Sequence, residues 1–128
     1  MKLLLDTCTF LWIITDSAEL SSNAKLLFTE PDNEVYLSVV SLWEILVKNK
    51  IGRLPLPAPA NEFVVEQRKL HCIESLALQE EAIVQLPRLP EYHKDPFDRM
   101  LICQAIANGL TIVTPDSDIK QYPLATVW

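Results

Sequence analysis

Tyr92-His93-Lys94-Asp95-Pro96-Phe97-Asp98-Arg99-Met100-Leu101 is the stretch on which the reading of the whole chain turns, because a polar loop becomes a helix inside it. Asp95 stands where an N-cap is wanted, and Pro96 takes the first helical position, where its missing N–H costs nothing. A helix from there to Asn108, stopped by Gly109, turns ~100° per residue and sets Asp98 on one stripe with Leu101, Ile102, Ala105 and Gly109. That stripe is expected to face a core. An acid in a first turn ordinarily caps the helix or answers its dipole. At the head of a buried stripe it needs a partner too, since an unpaired buried charge is costly unless it takes up a proton.

Upstream, Leu3-Leu4-Leu5 is a short apolar run of the kind expected for a strand covered on both faces, and it ends at Asp6. Residues 8–15 read as a helix, and Ser21-Ser22-Asn23 opens another through Phe28. Val35-Tyr36-Leu37-Ser38 reads as the second strand, followed by a helix from Leu42 to Lys50 that Gly52 stops. Leu54-Pro55-Leu56-Pro57-Ala58-Pro59 is an extended surface connection between segments too small to fold alone, so residues 1–128 read as one domain. A helix over 61–69, an edge strand over 71–76 and a helix over 78–86 closed by Pro87 come next. Beyond the Asp98 helix, Leu110 to Thr114 is a β-branched strand, and Ala125 to Trp128 a last short one. Strands alternating with helices predict an α/β fold with a mostly parallel sheet of about five strands, covered on both faces.

At 128 residues and 49% hydrophobic, the chain can bury one real core. Its formal charge of −6 argues against a surface coated for duplex DNA, although it leaves room for a nucleic-acid enzyme whose acids are gathered at a metal site. Cys8, Cys72 and Cys103 have no zinc-ligand spacing and stand among apolar neighbours, so all three are expected in the core of a protein kept in a reducing, cytoplasmic compartment. Asp6 interrupts the apolar N-terminus and no small-residue cleavage site follows, which speaks against a signal peptide, and no stretch approaches a membrane span.

In open α/β sheets, ligands bind beyond the carboxyl ends of the strands. Asp6 follows the first strand, Glu44 lies near the start of the helix after the second, and Asp116 follows the strand that ends at Thr114. The Asp98 helix feeds that last strand, so its first turn opens at the same edge. Each acid has an ordinary explanation. Ser41-Leu42-Trp43-Glu44 reads as a capping box and Glu44 can pair with Lys48; Asp6 can cap a helix; Asp116 and the nearby Asp118 sit in a turn. Four such acids converging on one edge need a further reason. Clustered carboxylates raise one another's pKa until a cation neutralises them, and Mg²⁺ or Mn²⁺ suits an all-oxygen donor set. Such a site fits phosphodiester hydrolysis with water as nucleophile.

The segments Leu4-Leu5-Asp6-Thr7, Ser38-Val39-Val40-Ser41-Leu42-Trp43-Glu44-Ile45, His93 to Leu101 and Thr114-Pro115-Asp116, in that order, resemble the motifs of PIN-domain ribonucleases, specifically the VapC toxins of bacterial type II toxin–antitoxin systems. The resemblance spans essentially the whole chain. It implies a three-layer α/β/α sandwich and a Mg²⁺- or Mn²⁺-dependent endoribonuclease with Asp6, Glu44, Asp98 and Asp116 as its acidic site. Asp6 and Asp98 would be the first metal ligands, with Thr7 and Thr114 as polar helpers. It also implies a homodimer held inactive by an antitoxin that covers the cleft, with DNA reached only through that antitoxin. One departure is Cys8, where relatives often carry histidine.

Around this frame, Lys48, Lys50 and Arg53 are the densest basic group and candidate phosphate contacts. His93 reads as a support of the Asp95 turn or as a group facing phosphate. Arg99 points away from Asp98 and suggests a structural ion pair. Leu11, Trp12 and Trp43 suit core packing or a protein-binding face. Two rival readings are a PIN-fold interaction module without activity and a DNA-directed nuclease. A dehalogenase-type phosphohydrolase is disfavoured because Cys8 stands where its second aspartate belongs.

Overall fold

A computed structural model describes the whole chain, Met1–Trp128. Strands β1 (Lys2–Leu5), β2 (Glu34–Ser38), β3 (Glu74–Leu76), β4 (Thr111–Val113) and β5 (Thr126–Val127) form one five-stranded sheet in the order β3-β2-β1-β4-β5. Every neighbouring pair is parallel, so the expected mostly parallel sheet is parallel throughout. Parallel neighbours need crossovers, and α-helices supply all but the last, from β4 to β5, which passes through a 3-10 turn at Ile119–Gln121. α1 (Thr7–Ile14) and α2 (Ser22–Thr29) connect β1 to β2, and α3 (Val39–Lys50) and α4 (Ala60–Leu70) connect β2 to β3. α5 (Glu80–Ile83) and α6 (Pro96–Asn108) lead from β3 to β4.

β1 is the middle strand, and its three leucines are at most 1% exposed. Alternation along the strand divides them between two cores. Leu4 packs with Ile112, Leu101, Ile102 and Ala82 on one face, whereas Leu3 and Leu5 pack with Phe10, Val35, Leu37, Ile45 and Val64 on the other. Each buried leucine removes enough apolar surface to stabilise the fold by roughly 1.5–3 kcal/mol. Layers of helix on both faces of the sheet are the α/β architecture expected from the sequence.

Three local expectations change. α3 begins at Val39, not Leu42, because β2 runs straight into it and the Ser38 hydroxyl accepts the Val40 N–H at 3.0 Å. Ser41 is therefore inside the helix and buried, and the capping box does not form. Over 78–86, only Glu80–Ile83 is α-helical, and Pro87 falls within a 3-10 turn at Leu86–Arg88 instead of closing a helix. Of the cysteines, Cys103 alone is buried. Cys72 sits at φ +56° in the turn that delivers Ile73 to the core, and Cys8 is turned outward at the start of α1.

α6 keeps the boundaries read from the sequence. The Asp95 carboxylate accepts the N–H groups of Phe97 (2.8 Å) and Asp98 (3.2 Å), and Gly109 ends the helix at φ +64°, a conformation that favours glycine. No helix is long and apolar enough to cross a membrane.

Candidate metal centre

The carboxyl ends of β1 and β4 lie side by side, since Leu5 is in register with Val113. One residue further on, Asp6 leaves the sheet as the N-cap of α1, its Oδ1 accepting the Thr9 N–H at 2.8 Å. Its Oδ2 accepts the Thr114 hydroxyl at 2.5 Å, which fixes the carboxylate across the two strand ends. The Thr114 hydroxyl also accepts the Asp116 N–H at 3.0 Å. A single threonine thus positions two of the acids.

Glu44 reaches the same place from the second turn of α3 and is 4% exposed. The Thr7 hydroxyl donates to its Oε1 at 2.6 Å, with Ser41 Oγ 3.0 Å from the same hydroxyl, while Lys48 Nζ lies 2.5 Å from its Oε2. Asp98 enters from the first turn of α6, as the stripe through Leu101, Ile102 and Ala105 requires. Asp116 completes the group. Asp118 stands outside it, exposed, its carboxylate accepting from the Gln121 side chain at 3.3 Å.

Together the four acids line a cleft of about 370 Å³, with Thr7, Cys8, Trp12, Lys48, Asp95 and Pro115 on its walls. Thr114 is fully buried behind Asp6. Lys50 and Arg53 are exposed and do not line the cleft, whereas Lys48 does. Six residues separate Lys50 from Glu44, which on a helix turns it well away from that face.

Burial raises the Asp6 pKa against the pull of its hydrogen bonds to Thr114 and Thr9, and the Asp116 charge adds to the rise. Asp98 is pushed up to about 7, chiefly by burial and then by the charges of Asp95 and Glu44. Cys8 rises to about 11, through burial and the charges of Asp6, Asp98 and Glu44, so its thiol stays protonated at neutral pH. Lys48 is the single lysine or arginine on the walls. Carboxylates packed this closely with so little cationic charge are a donor set that fits a hard divalent ion.

His93 does more than support the Asp95 turn. Its Nδ1 does support the Asp95 turn, accepting the Asp95 N–H at 3.1 Å. Its Nε2 also lies 3.0 Å from Asp116 Oδ2 and 3.1 Å from Asp98 Oδ2, and the ligand atoms of these three residues fall within 4.8 Å of one another. Burial lowers the imidazole pKa, but the bond to Asp116 and the charges of Asp98, Asp116 and Asp118 outweigh it and leave it raised. No local pattern signals this reach, because a loop side chain has no periodicity.

Arg99 forms no ion pair. Its Nη1 donates to the carbonyls of Pro90 (3.0 Å) and His93 (3.4 Å) and to the Tyr122 hydroxyl (3.3 Å), holding the loop before α6. Trp43 is 61% exposed and meets Phe97 edge-on at 4.9 Å, while Leu11 and Trp12 are half-buried.

A family model described as the PIN domain matches residues 3–124. No curated protein matches the chain in sequence. Among solved structures, VapBC2 from Rickettsia felis, bound to a DNA fragment from its promoter, is similar at a TM-score of 0.76 and 19% identity, covering 100% of this chain and 99% of that one. DNA-bound VapBC from Salmonella typhimurium gives 0.70 and 18%, covering 99% and 97%. VapBC-5 from Mycobacterium tuberculosis, a member of the VapBC family of toxin–antitoxin systems, gives 0.61 and 19%, covering 98% and 95%. At these identities the likeness is one of fold.

Proposed function

The chain belongs to the PIN-domain family, and from that membership we propose that it is a metal-dependent endoribonuclease acting as the toxin of a toxin–antitoxin pair. PIN domains are nucleases that act on phosphodiester bonds. The observation that carries the reading is the meeting of Asp6, Glu44, Asp98 and Asp116, from four separate segments, in one cleft at the carboxyl edge of the sheet. In this reading residues 1–128 form a single functional domain.

Asp6 and Asp98 would be the first residues to hold Mg²⁺ or Mn²⁺, with Glu44 and Asp116 as further oxygen donors. Such an ion lowers the pKa of a bound water and stabilises the charge that develops on the phosphate oxygens. The chain's own residues do the rest. Thr114 fixes the direction of the Asp6 carboxylate, and Thr7 fixes that of Glu44. Lys48, at the cleft wall, neutralises Glu44 and offers a positive charge to an entering phosphate. Lys50 and Arg53, lying outside the cleft, would touch only a longer substrate. Single-stranded or loop RNA, whose backbone can enter such a cleft, is the substrate class that fits.

The similar VapBC structures, one described as a member of a family of toxin–antitoxin systems and two bound to DNA, support an antitoxin partner. An antitoxin that covers the cleft and alone contacts DNA, a homodimer and a cytoplasmic location are further parts of the proposal. Incubating the purified chain with a mixed RNA pool in Mg²⁺, in Mn²⁺ and in EDTA tests the activity, with single- and double-stranded DNA alongside. Metal-dependent RNA cleavage is the expected result. Preferential cutting of DNA would move the assignment to a DNA nuclease, and an inert, folded chain that binds no Mn²⁺ would leave an interaction module.

A further inference from the structure

His93 lies close enough to Asp98 and Asp116 to serve as a third metal ligand, but its other ring nitrogen argues against that role. The Asp95 N–H points at Nδ1 from 3.1 Å, so Nδ1 offers its lone pair and carries no proton. A neutral ring must then carry its proton on Nε2. A proton on Nδ1 would set two N–H groups against each other while the Asp95 contact lasts. With Nε2 protonated, no lone pair faces the cleft, and the Nε2–H is directed at Asp116 Oδ2, 3.0 Å away.

We propose that His93 is a positioning residue of the carboxylate site, an Nε2–H donor that aims Asp116 toward Asp98, and not a metal ligand. The inference rests on the metal-site reading given under Proposed function. Asp116 needs such a donor because its position is otherwise set only locally: its N–H bonds to Thr114, and its Oδ1 accepts the Asp118 N–H at 2.8 Å. The other oxygen, Oδ2, faces the cleft, and His93 is what fixes it. Carboxylate ligands held by such outer hydrogen bonds bind metal about 10- to 100-fold more tightly than when the partner is removed.

Removing the ring costs the loop one contact, the Asp95 N–H to Nδ1, and leaves its other anchors in place. The His93 N–H donates to the Tyr122 hydroxyl at 2.9 Å, and Arg99 holds the loop through the carbonyls of Pro90 and His93. Both sets of contacts use backbone atoms that a substitution retains. The imidazole is therefore separable from the fold around it.

The test is ¹⁵N NMR of imidazole-labelled protein near pH 7.5, metal-free and then with Mg²⁺, joined to Mg²⁺ titration calorimetry of His93→Ala and His93→Gln. Expected is a ring protonated at Nε2 with an acceptor Nδ1, unchanged in tautomer when Mg²⁺ binds. His93→Ala should lose roughly tenfold in Mg²⁺ affinity, and His93→Gln, whose amide can place an N–H near the Nε2 position, should recover most of it. A proton on Nδ1, or deprotonation of Nε2 on adding Mg²⁺, would overturn the proposal, as would an unchanged affinity in His93→Ala. None of these readings depends on RNA cleavage, so an inactive protein with the expected tautomer and affinities would contradict the nuclease assignment and leave the role of His93 standing.

Discussion

Thr114 donates its hydroxyl to Asp6 Oδ2 across 2.5 Å, joining the first strand of the sheet to the fourth at the floor of the cleft. Both residues are buried. Thr114→Val keeps the shape and removes the donor. It leaves a buried carboxyl oxygen short of a partner, a loss of about 1–3 kcal/mol, and also takes away the acceptor of the Asp116 N–H. Urea denaturation at pH 8 should show that loss, and a variant as stable as the parent would mean the bond is not what holds Asp6.

Asp98 links stability to pH. Its folded-state pKa, raised to about 7 from an ordinary value of 3.8, means that the folded chain binds more protons than the unfolded one between those values. Metal-free protein should therefore lose stability as pH rises from about 4 to about 7. Asp98→Asn should flatten that decline and leave the part due to Asp6 and His93, whose pKa values are also raised. Melting temperatures in EDTA at pH 5 and pH 8 measure it; the same decline in both proteins would remove Asp98 as its source.

Lys48 is the cation paired with Glu44. With Lys48 nearly half exposed, the pair is worth little beyond ~1 kcal/mol. Lys48→Met should therefore tighten Mn²⁺ binding by roughly two- to fivefold, while lowering RNA cleavage at subsaturating substrate. Calorimetry and initial rates on one preparation check both directions, and weaker Mn²⁺ binding would contradict the expectation.

Gly109 tests the end of α6 apart from the site. A Cβ there meets nothing within 4 Å, so the cost of Gly109→Ala is that of φ +64° alone, roughly 1–2 kcal/mol. Thermal unfolding should register it, with metal affinity unchanged.

The fold was legible wherever local pattern and tertiary environment agree. Leu3-Leu4-Leu5 reads as a fully covered strand and is one, and the Asp95-Pro96 start and Gly109 stop of α6 announce themselves. The failures came where a long-range partner overrides a local rule. Ser41 looked like a cap, but the Ser38 hydroxyl caps α3 and donates to the buried Gln104 side chain at 2.5 Å, while Ser41 turns to Thr7. Cys8 and Cys72 looked apolar by their neighbours, yet one faces the cleft and the other occupies a turn. The meeting of the four acids followed from topology. The reach of His93 across to Asp116 did not, because a loop side chain has no periodicity to reveal its direction.

Asp98→Asn, compared with the parent chain for Mn²⁺ binding and for cleavage of a mixed RNA pool, tests the central claim most directly. The substitution keeps the side chain's shape and removes the charge at the head of α6. The expected result is a folded protein with sharply weakened Mn²⁺ binding and no metal-dependent cleavage, beside a parent that cuts RNA in Mn²⁺ and not in EDTA. Equal cleavage and equal Mn²⁺ affinity in the two proteins would contradict a metal centre built on Asp98.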